Sequence, residues 1–427
     1  MGSNAKDKKN RIEELYNIFL QHPSITTDSR NVGKGDIFFA LKGDNFNGNK
    51  FASKAIENGA SIAVIDEKEY DGKGCFLVDD FLLTLQLLAN YHRRQFPDLK
   101  MLAITGTNGK TTTKELTLGV LSQKYRTIAT QGNLNNHIGV PLTLLRINTS
   151  TEFAIIEMGA NHKGEIDFLC KIAEPIYGLI TNIGKAHLEG FGSFEGIIQT
   201  KTELFRYLDQ PNRFCIINMD DKSLSDYSLS HKNKTYKYSL SNKINSEKAA
   251  LDFEGHIIQS NLIGSYNAQN ILAAMTIGKL FDVPLNLSIQ AIESYNPQNN
   301  RSQILKTNNN TLILDCYNAN PSSLYAALND FKEMKADKKY AFIGAMKELG
   351  NTSKQEHQNI VQLLKNINLE AVILVGKEFK EFSDNSFLWF ETSQEARDYL
   401  LNNNIVGGII LIKGSHSTQM DILADAL

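Results

Sequence analysis

The residues with the most specific chemical spacing lie between Met101 and Leu116, where the sequence runs MLAITGTNGKTTTKEL. The apolar segment predicts a strand, the glycines predict a tight turn, and the segment after the turn predicts a helix. A helix N-terminus binds anions because it presents unpaired backbone N–H groups and the positive end of the helix dipole. We therefore predict that Lys110 contacts the outer phosphates of a nucleotide and that the Thr111 hydroxyl is a Mg²⁺ ligand.

This loop is shorter than a regular Walker A loop. Its spacing is Gly106-x-x-Gly109-Lys110-Thr111, and Ile104 stands where the longer spacer would place the first glycine. The alternative is a Gly/Lys/Thr turn without a ligand. The predicted nucleotide-binding residues of the loop are Gly106, Thr107, Asn108, Gly109, Lys110, Thr111 and Thr112.

Three further residues are candidates for chemistry in the central part of the chain. Glu157 ends the predicted strand EFAIIE, at the sheet edge where open α/β folds bind ligands, and a carboxylate suits Mg²⁺. His187 lies in a glycine-flanked loop, which favours a ligand role over core packing. Their alternatives are a solvated strand-end carboxylate and a core histidine. Lys201 lies on a short amphipathic helix, and its spacing alone indicates an ordinary exposed lysine.

Polar residues in the last third of the chain also indicate ligand binding. Asn267 and Asn270 share one helix face and either contact a purine edge or cap the helix. Arg301 is placed to contact phosphate or ribose. Asp315 ends a buried strand and begins a polar loop. The loop also contains Asn318 and Asn320, and the final glycine turn, suited to an anionic group, contains Lys413, Ser415 and His416.

Composition and pattern indicate the elements that must position these residues. The chain has 427 residues, 42% hydrophobic and 22% charged, and a formal net charge of −2 without a long basic run. We expect about three domains, no nucleic-acid partner and no transmembrane segment. The start of the chain lacks the apolar region of a signal peptide. Four scattered cysteines indicate buried residues and a reducing, cytoplasmic location.

The alternation of strands and helices predicts an α/β protein of three domains. Residues 1–98 are expected to form a small mixed α/β domain. Residues 99–298 are expected to form a central phosphate-loop domain with a doubly wound, mostly parallel sheet. Residues 299–427 repeat strand–helix units and are expected to form a Rossmann-like domain.

Taken in order, the segments resemble the Mur ligase family of peptidoglycan synthesis over nearly the whole chain. The N-terminal match is TDSR with GDIFFALKGDNFNGNKFASKAIENGA, followed by ITGTNGKTTTKEL and GNLNNHIGVPLTLL. EMGANHKGEI, TNIGKAHLEGFGS, KTELF, YNAQN and DCYNANPSS follow in the family's order. Each motif alone is modest, but their order is specific.

The resemblance implies an ATP-dependent ligase acting as a monomer. It would join D-alanyl-D-alanine to UDP-N-acetylmuramoyl-tripeptide through an acyl phosphate, a step of cell-wall synthesis on which cell shape and division depend. One alternative is a related Mur or folylpolyglutamate-type ligase that adds a single amino acid. The other is a nucleotide-dependent switch without ligase activity.

The resemblance also implies residue roles that spacing alone does not give. Lys110, His187 and Lys201 would be catalytic. Lys110 and Thr111 would bind the ATP phosphates and the first of two Mg²⁺ ions. Glu157 would contribute to the metal site, and His187 would bind the second ion. Lys201 would be carbamylated by CO₂, which converts a cation into an anionic oxygen ligand for the second ion.

The remaining implied roles concern ATP and the substrates. Ser29 and Arg30, with the GDNFNG turn, would face the uridine nucleotide. Asn267 and Asn270 would hold adenine, and Arg301 and Asp315 would contact the nucleotide. The sequence departs from the family pattern at two positions. Ala345 stands where the family often has aspartate, and His416 stands where it often has arginine. Histidine cannot form the bidentate contact with a carboxylate that arginine forms. The expected substrate-binding residues are Ser29, Arg30, Asn133, Asn135, Asn136, Tyr317, Asn318, Asn320, Lys413 and Ser415.

Overall fold

The computed structural model describes residues 5–43, 46–230, 234–240, 248–297, 301–382 and 386–427. Two sequence-based predictions fall partly outside these ranges. One is the GDNFNG turn expected at the uridine nucleotide, of which Asp44 and Asn45 are not described. The other is the domain joint expected at residues 298 and 299.

The N-terminal part is built on a parallel sheet of four strands, in the order β1-β2-β5-β6. Strand β2 has the sequence IFF and is fully buried, which suits a central strand. Strands β3 and β4 form a separate antiparallel ribbon. The elements in chain order are α1 (Ala5–Gln21), β1 (Ile25–Thr26), β2 (Ile37–Phe39), β3 (Lys42–Gly43), β4 (Phe46–Asn47), α2 (Ala52–Glu57), β5 (Ile62–Ile65), β6 (Cys75–Leu77) and α3 (Phe81–Arg94).

The central part has a six-stranded sheet in which all pairs are parallel, in the order β12-β11-β10-β7-β9-β8. Strands β13 and β14 form a hairpin beside it. The elements are β7 (Lys100–Thr105), α4 (Lys110–Leu121), β8 (Thr127–Ala129), α5 (Gly139–Leu144), β9 (Phe153–Glu157), α6 (Glu165–Ala173), β10 (Tyr177–Ile180), α7 (Leu188–Phe191), α8 (Phe194–Lys201), α9 (Glu203–Tyr207), β11 (Phe214–Asn218), α10 (Lys222–Ser230), β12 (Thr235–Tyr238), β13 (Lys248–Phe253), β14 (His256–Ile263), α11 (Tyr266–Leu280) and α12 (Leu285–Ser294).

Helices cover both faces of the central sheet because its strands are apolar on both sides. In β7, Leu102 and Ile104 pack in one core with α4, α11 and α12. Met101 and Ala103 pack in the opposite core with α3, α5 and α6. This second core continues into the N-terminal part through Ile37 and other residues. The two parts therefore share one apolar core, which fixes their relative position.

The C-terminal part has another six-stranded sheet, in the order β15-β16-β20-β17-β18-β19, in which only the pair β15–β16 is antiparallel among the described strands. Within the described ranges, no helix has the length and apolar character needed to cross a bilayer. The elements are β15 (Gln303–Lys306), β16 (Thr311–Asp315), α13 (Pro321–Glu333), β17 (Lys339–Gly344), α14 (Ser353–Lys365), β18 (Ala371–Val375), β19 (Leu388–Phe390), α15 (Ser393–Asn402) and β20 (Ile409–Lys413).

Candidate active site

The carboxyl ends of the central and C-terminal sheets meet at a cleft of about 1340 Å³. Parallel strands present their following loops at this edge, so residues distant in sequence converge there. The predicted site residues that line it are Thr107, Asn108, Gly109, Lys110, Thr111, Thr112, Asn133, Asn135, Asn136, Glu157, His187, Asn267, Asn270, Arg301, Asp315, Tyr317, Asn318, Lys413 and Ser415.

Two glycines give the phosphate loop its shape. Gly106 and Gly109 have φ angles of +145° and +76°, which L side chains rarely adopt. A Cβ at Gly106 would lie 2.0 Å from Thr181 Oγ1, and one at Gly109 would lie 2.4 Å from Asn270 Oδ1. The loop can therefore pack closely on its neighbours only with glycine at both positions.

Lys110 begins helix α4, and its ammonium group turns back over the loop. Its Nζ donates to the carbonyl oxygens of Gly106 at 2.8 Å and Thr107 at 3.0 Å. Burial lowers the pKa of Lys110, Glu157 opposes that effect and Arg301 adds to it. The arrangement concentrates positive charge where a phosphate would meet the helix N-terminus.

Asn182, which the sequence analysis did not single out, holds the loop in place. Its Oδ1 accepts from the backbone N–H of Asn108 at 3.0 Å, and its Nδ2 donates to the Asn108 carbonyl at 2.9 Å. Asn182 follows β10 at the same sheet edge where Glu157 ends β9. A search for polar residues just beyond each buried strand would have found it.

Glu157 and Thr111 form a pair suited to a divalent cation. The Glu157 side chain is 1% exposed, and its Oε1 accepts from Thr111 Oγ1 at 3.2 Å and from Asn135 Nδ2 at 2.8 Å. Its Oε2 has no hydrogen-bond partner among the described residues, although Lys114 Nζ lies 3.9 Å away. A buried carboxylate oxygen without a donor is costly, and Mg²⁺ takes such oxygens as ligands. These residues therefore fit the predicted metal site.

His187 lies across the cleft with a φ of +49°, immediately before α7. Its Nδ1 is in close contact with a carboxylate oxygen of Glu348, which comes from the C-terminal part. Burial lowers the pKa of His187, Glu348 opposes this, and Lys110 and Lys201 lower it further. The lowered pKa favours the neutral imidazole, the form that binds metals. Glu348 had no sequence signal beyond its charge.

Lys201 is the last residue of α8 and is 3% exposed, so the expectation of an ordinary exposed lysine from spacing is wrong. Its Nζ lies 5.4 Å from the centre of the Phe191 ring. Burial lowers the pKa of Lys201 well below its usual value, and Lys110 lowers it further. A neutral amine is the form that reacts with CO₂, so the environment fits the carbamylation implied by the resemblance.

Asn267 and Asn270 are buried on α11 and bond to each other. Asn270 Nδ2 donates to Asn267 Oδ1 at 2.8 Å, and Asn270 Oδ1 accepts from Thr113 Oγ1 at 3.1 Å. The residue before the helix is Ser265, so neither asparagine is the N-cap and the capping alternative is wrong. The pair lies directly behind the phosphate loop.

On the C-terminal side of the cleft, the charged side chains contact other protein groups. The Arg301 guanidinium lies 3.6 Å from the centre of the Tyr317 ring. The buried Lys413 forms an ion pair with Asp315 and also donates to the Asn318 carbonyl at 3.3 Å. The positive charge of Lys413, which was expected to face an anionic group, is therefore already paired with Asp315.

Five predicted residues are not among those that line the cleft. Gly106 and Lys201 lie behind its surface, and Asn320 caps α13. Ser29 and Arg30 lie in the N-terminal part, where Arg30 bonds to both carboxylate oxygens of Asp28 at 2.9 Å.

Three family models match the chain. The Mur ligase middle domain matches residues 104–278, the Mur ligase glutamate ligase domain matches 300–416, and a third Mur ligase model, for a catalytic domain, matches 23–74. A UDP-N-acetylmuramoyl-tripeptide–D-alanyl-D-alanine ligase of Buchnera aphidicola is 33% identical, covering 97% of this chain and 93% of the relative. The chain belongs to the Mur ligase family. The family predicted from the motifs is confirmed.

Other Mur ligases agree with this assignment. The ligase of the same name from Escherichia coli is 32% identical and covers 97% of this chain and 95% of the relative. The crystal structure of MurF from Acinetobacter baumannii has a TM-score of 0.86 at 31% identity, with coverages of 94% and 93%. MurF ligase from Thermotoga maritima in complex with ADP has a TM-score of 0.84 at 26% identity, covering 95% and 97%. These structures confirm the predicted fold class.

The two departures from the Mur ligase pattern have different surroundings. Ala345 is fully buried, and a Cβ at Gly376 would lie 2.6 Å from its methyl group. The Ala345 carbonyl accepts from Ser415 Oγ at 3.0 Å, so the two loops are joined without an aspartate. His416 lines the cleft, and its ring centroid lies 6.2 Å from that of Tyr317.

Proposed function

We propose that this Mur ligase uses ATP to join D-alanyl-D-alanine to the terminal carboxylate of UDP-N-acetylmuramoyl-tripeptide, which gives the pentapeptide precursor of peptidoglycan. The observation that carries the proposal is that relatives of this name match almost the entire chain at 30–33% identity. The convergence of phosphate-loop, metal-ligand and C-terminal residues on one cleft supports it.

The reaction activates a carboxylate, which is otherwise a poor acyl donor. The tripeptide carboxylate attacks the γ-phosphorus of ATP, releasing ADP and forming an acyl phosphate. The dipeptide amine then attacks the acyl carbon, loses a proton, and phosphate leaves. Lys110 and the N-terminus of α4 would neutralise the transferred phosphoryl group. Asn267 and Asn270 would hold adenine, with Arg301 and Asp315 contacting the nucleotide.

Two Mg²⁺ ions would be held at the cleft, the first by Thr111 and Glu157 and the second by His187 and carbamylated Lys201. Bound Mg²⁺ supplies charge neutralisation on the phosphates. For carbamylation, the neutral Lys201 amine adds to the carbon of CO₂ and releases one proton. His187 and Lys201 both lie beside the Phe191 ring, and the pKa of each is lowered, which supports this assignment.

The substrate sites would extend from the N-terminal part to the C-terminal part. We assign residues 1–98 to binding of the uridine nucleotide, residues 99–298 to ATP, and residues 299–427 to both ATP and the dipeptide. The protein would be a monomer that works in the cytoplasm. Ser29 and Arg30 would contact the uridine nucleotide. The other residues assigned to the peptide substrates are Asn133, Asn135, Asn136, Tyr317, Asn318, Asn320, Lys413 and Ser415.

Phosphate release from ATP, measured over a matrix of substrates, tests the proposal. UDP-muramoyl tripeptides ending in diaminopimelate or lysine should each be assayed alone, with D-alanyl-D-alanine, and with single amino acids including glutamate. We expect release that requires both a tripeptide and the dipeptide. Release driven equally by a single amino acid would favour the alternative ligase, and release independent of any amine would favour a nucleotide switch.

A further inference from the structure

The phosphate loop is in direct contact with the C-terminal part through two side-chain amides. Asn320 Nδ2 donates to Asn108 Oδ1 at 2.8 Å, and Asn320 is 4% exposed. Asn108 lies between the two loop glycines, Gly106 and Gly109. We call the contact between Asn108 and Asn320 the amide bridge.

The orientation of the Asn320 amide is determined by the helix that it caps. The Oδ1 of Asn320 accepts from the backbone N–H of Ser323 at 2.9 Å, and the backbone N–H of Asn320 donates to Ser323 Oγ at 3.1 Å. Because the backbone N–H requires an acceptor, Oδ1 must face Ser323. Nδ2 is therefore directed at Asn108 and presents a donor to its side-chain oxygen.

The backbone of Asn108 is held by the central part alone. Its carbonyl accepts from Thr181 Oγ1 at 2.6 Å, and its N–H donates to Asn182 Oδ1 at 3.0 Å. The central part thus fixes the path of the loop. The C-terminal part contacts the loop at its side-chain amide.

Neighbouring contacts keep the first turn of α13 in this position. The backbone N–H of Lys185 donates to Ser322 Oγ at 2.7 Å. Lys185 Nζ donates to the buried Glu356 at 2.9 Å. The loop before Lys185 also bonds to the phosphate loop, since Gly184 N–H donates to Thr107 Oγ1 at 2.9 Å. The first turn of α13 and the phosphate loop are therefore parts of one hydrogen-bonded assembly.

We propose that Asn320 is a positioning residue that orders the phosphate loop when the C-terminal part closes on it. The inference rests on the proposed function and gives Asn320 a role other than the dipeptide contact. Opening of the cleft breaks the amide bridge and frees the Asn108 side chain. The amide bridge then couples closure to tight binding of the ATP phosphates.

A double-mutant cycle with Asn320→Ser and Asn108→Ala tests this role. Serine still caps α13 through its hydroxyl but is too short to reach Asn108. Thr392→Ala is the matched control, because it removes the cap of α15 in the same part of the protein, away from the cleft. The measurements are KM for ATP and kcat in the ligation assay, and ADP affinity by calorimetry.

Each bridge variant should raise KM for ATP by about threefold to tenfold, the range of a lost hydrogen bond. KM for ATP in the double variant should be no higher than in Asn108→Ala alone, because both changes remove the same contact. Thr392→Ala should leave KM unchanged, since a purely structural defect lowers the active fraction and hence kcat.

Two outcomes would overturn the inference. One is a rise in KM for ATP in the double variant equal to the product of the rises in the two single variants. The other is a KM for Asn320→Ser within twofold of that of the Thr392→Ala control. Absence of dipeptide-dependent ADP release from the unmutated protein would instead reject the proposed function. The ADP affinities of the same variants would still test the bridge in that case.

Discussion

Lys201 at the end of α8 and Lys413 at the end of β20 are both buried lysines, but their surroundings differ. Lys201 and Lys413 are 3% and 2% exposed. Lys413 forms an ion pair with Asp315. The described residues place no carboxylate oxygen within ion-pair distance of Lys201, whose Nζ instead lies near the Phe191 ring.

The difference shows that burial alone does not assign a role to a lysine. A buried ammonium group is costly unless a partner offsets its desolvation. Asp315 provides that offset for Lys413, whose charge is therefore used inside the protein. Burial outweighs the more distant carboxylates Glu165 and Glu203 at Lys201, so the pKa of Lys201 falls and its amine becomes available for reaction with CO₂. One lysine holds a neighbour in place, and the other is suited to modification.

Lys110→Ala should give the largest loss of ligation activity, against which the losses in the Lys201 and Lys413 variants can be compared. Ligation should fall by at least about 1000-fold, because the positioned charge at the transferred phosphoryl group is lost. The measurement is ADP release that depends on both peptide substrates. Near-normal turnover of Lys110→Ala would remove the phosphate loop from the mechanism.

Lys201→Met should lower ligation by about 100-fold while leaving the melting temperature unchanged or raised. The activity falls because an anionic oxygen ligand cannot form, a loss of the size seen when one charged group is removed from a site. The fold does not suffer, because the cost of burying an amine disappears. Labelled bicarbonate should give a carbamate signal by ¹³C NMR in the unmutated protein and none in the variant. Full activity of Lys201→Met would contradict the proposal that Lys201 is carbamylated for catalysis.

Lys413→Met, unlike Lys201→Met, should destabilise the protein, by about 2 kcal/mol in denaturant titrations. Removing one partner leaves Asp315 without its cation, and the partial exposure of that carboxylate keeps the loss below the value for a fully buried pair. Adding Asp315→Asn should recover part of the loss. If Lys413→Met is as stable as the unmutated protein, the ion pair contributes nothing to the fold.

The sequence predicted the central sheet well because its signals are local. Strands such as β9 are continuous apolar runs, and the phosphate loop is contiguous, so Lys110, Thr111 and Glu157 could be placed from their neighbours. The environment of Lys201 could not be predicted this way. Its burial depends on Phe191 and on the packing of α7 and α8, which hydrophobic spacing does not encode.

Pairing between distant residues was also beyond the sequence. Lys413 and Asp315 were both predicted at the site, but their neighbouring strands β20 and β16 are far apart in the chain. The contact between His187 and Glu348 joins two parts of the protein and had no motif of its own. Such pairs depend on the register of the sheets and on how the parts meet.

The pH dependence of stability gives the smallest predicted effect and separates the two lysines. The pKa of Lys201 is lower in the folded than in the unfolded protein, so unfolding takes up a proton between the two values. Stability through this group therefore rises with pH across that interval, by up to about 1.4 kcal/mol per pH unit. Lys201→Met should remove this slope from denaturant titrations made at pH values below the usual lysine pKa. Lys413→Met should retain it, and equal slopes in the unmutated protein and Lys201→Met would mean that Lys201 stays charged when folded.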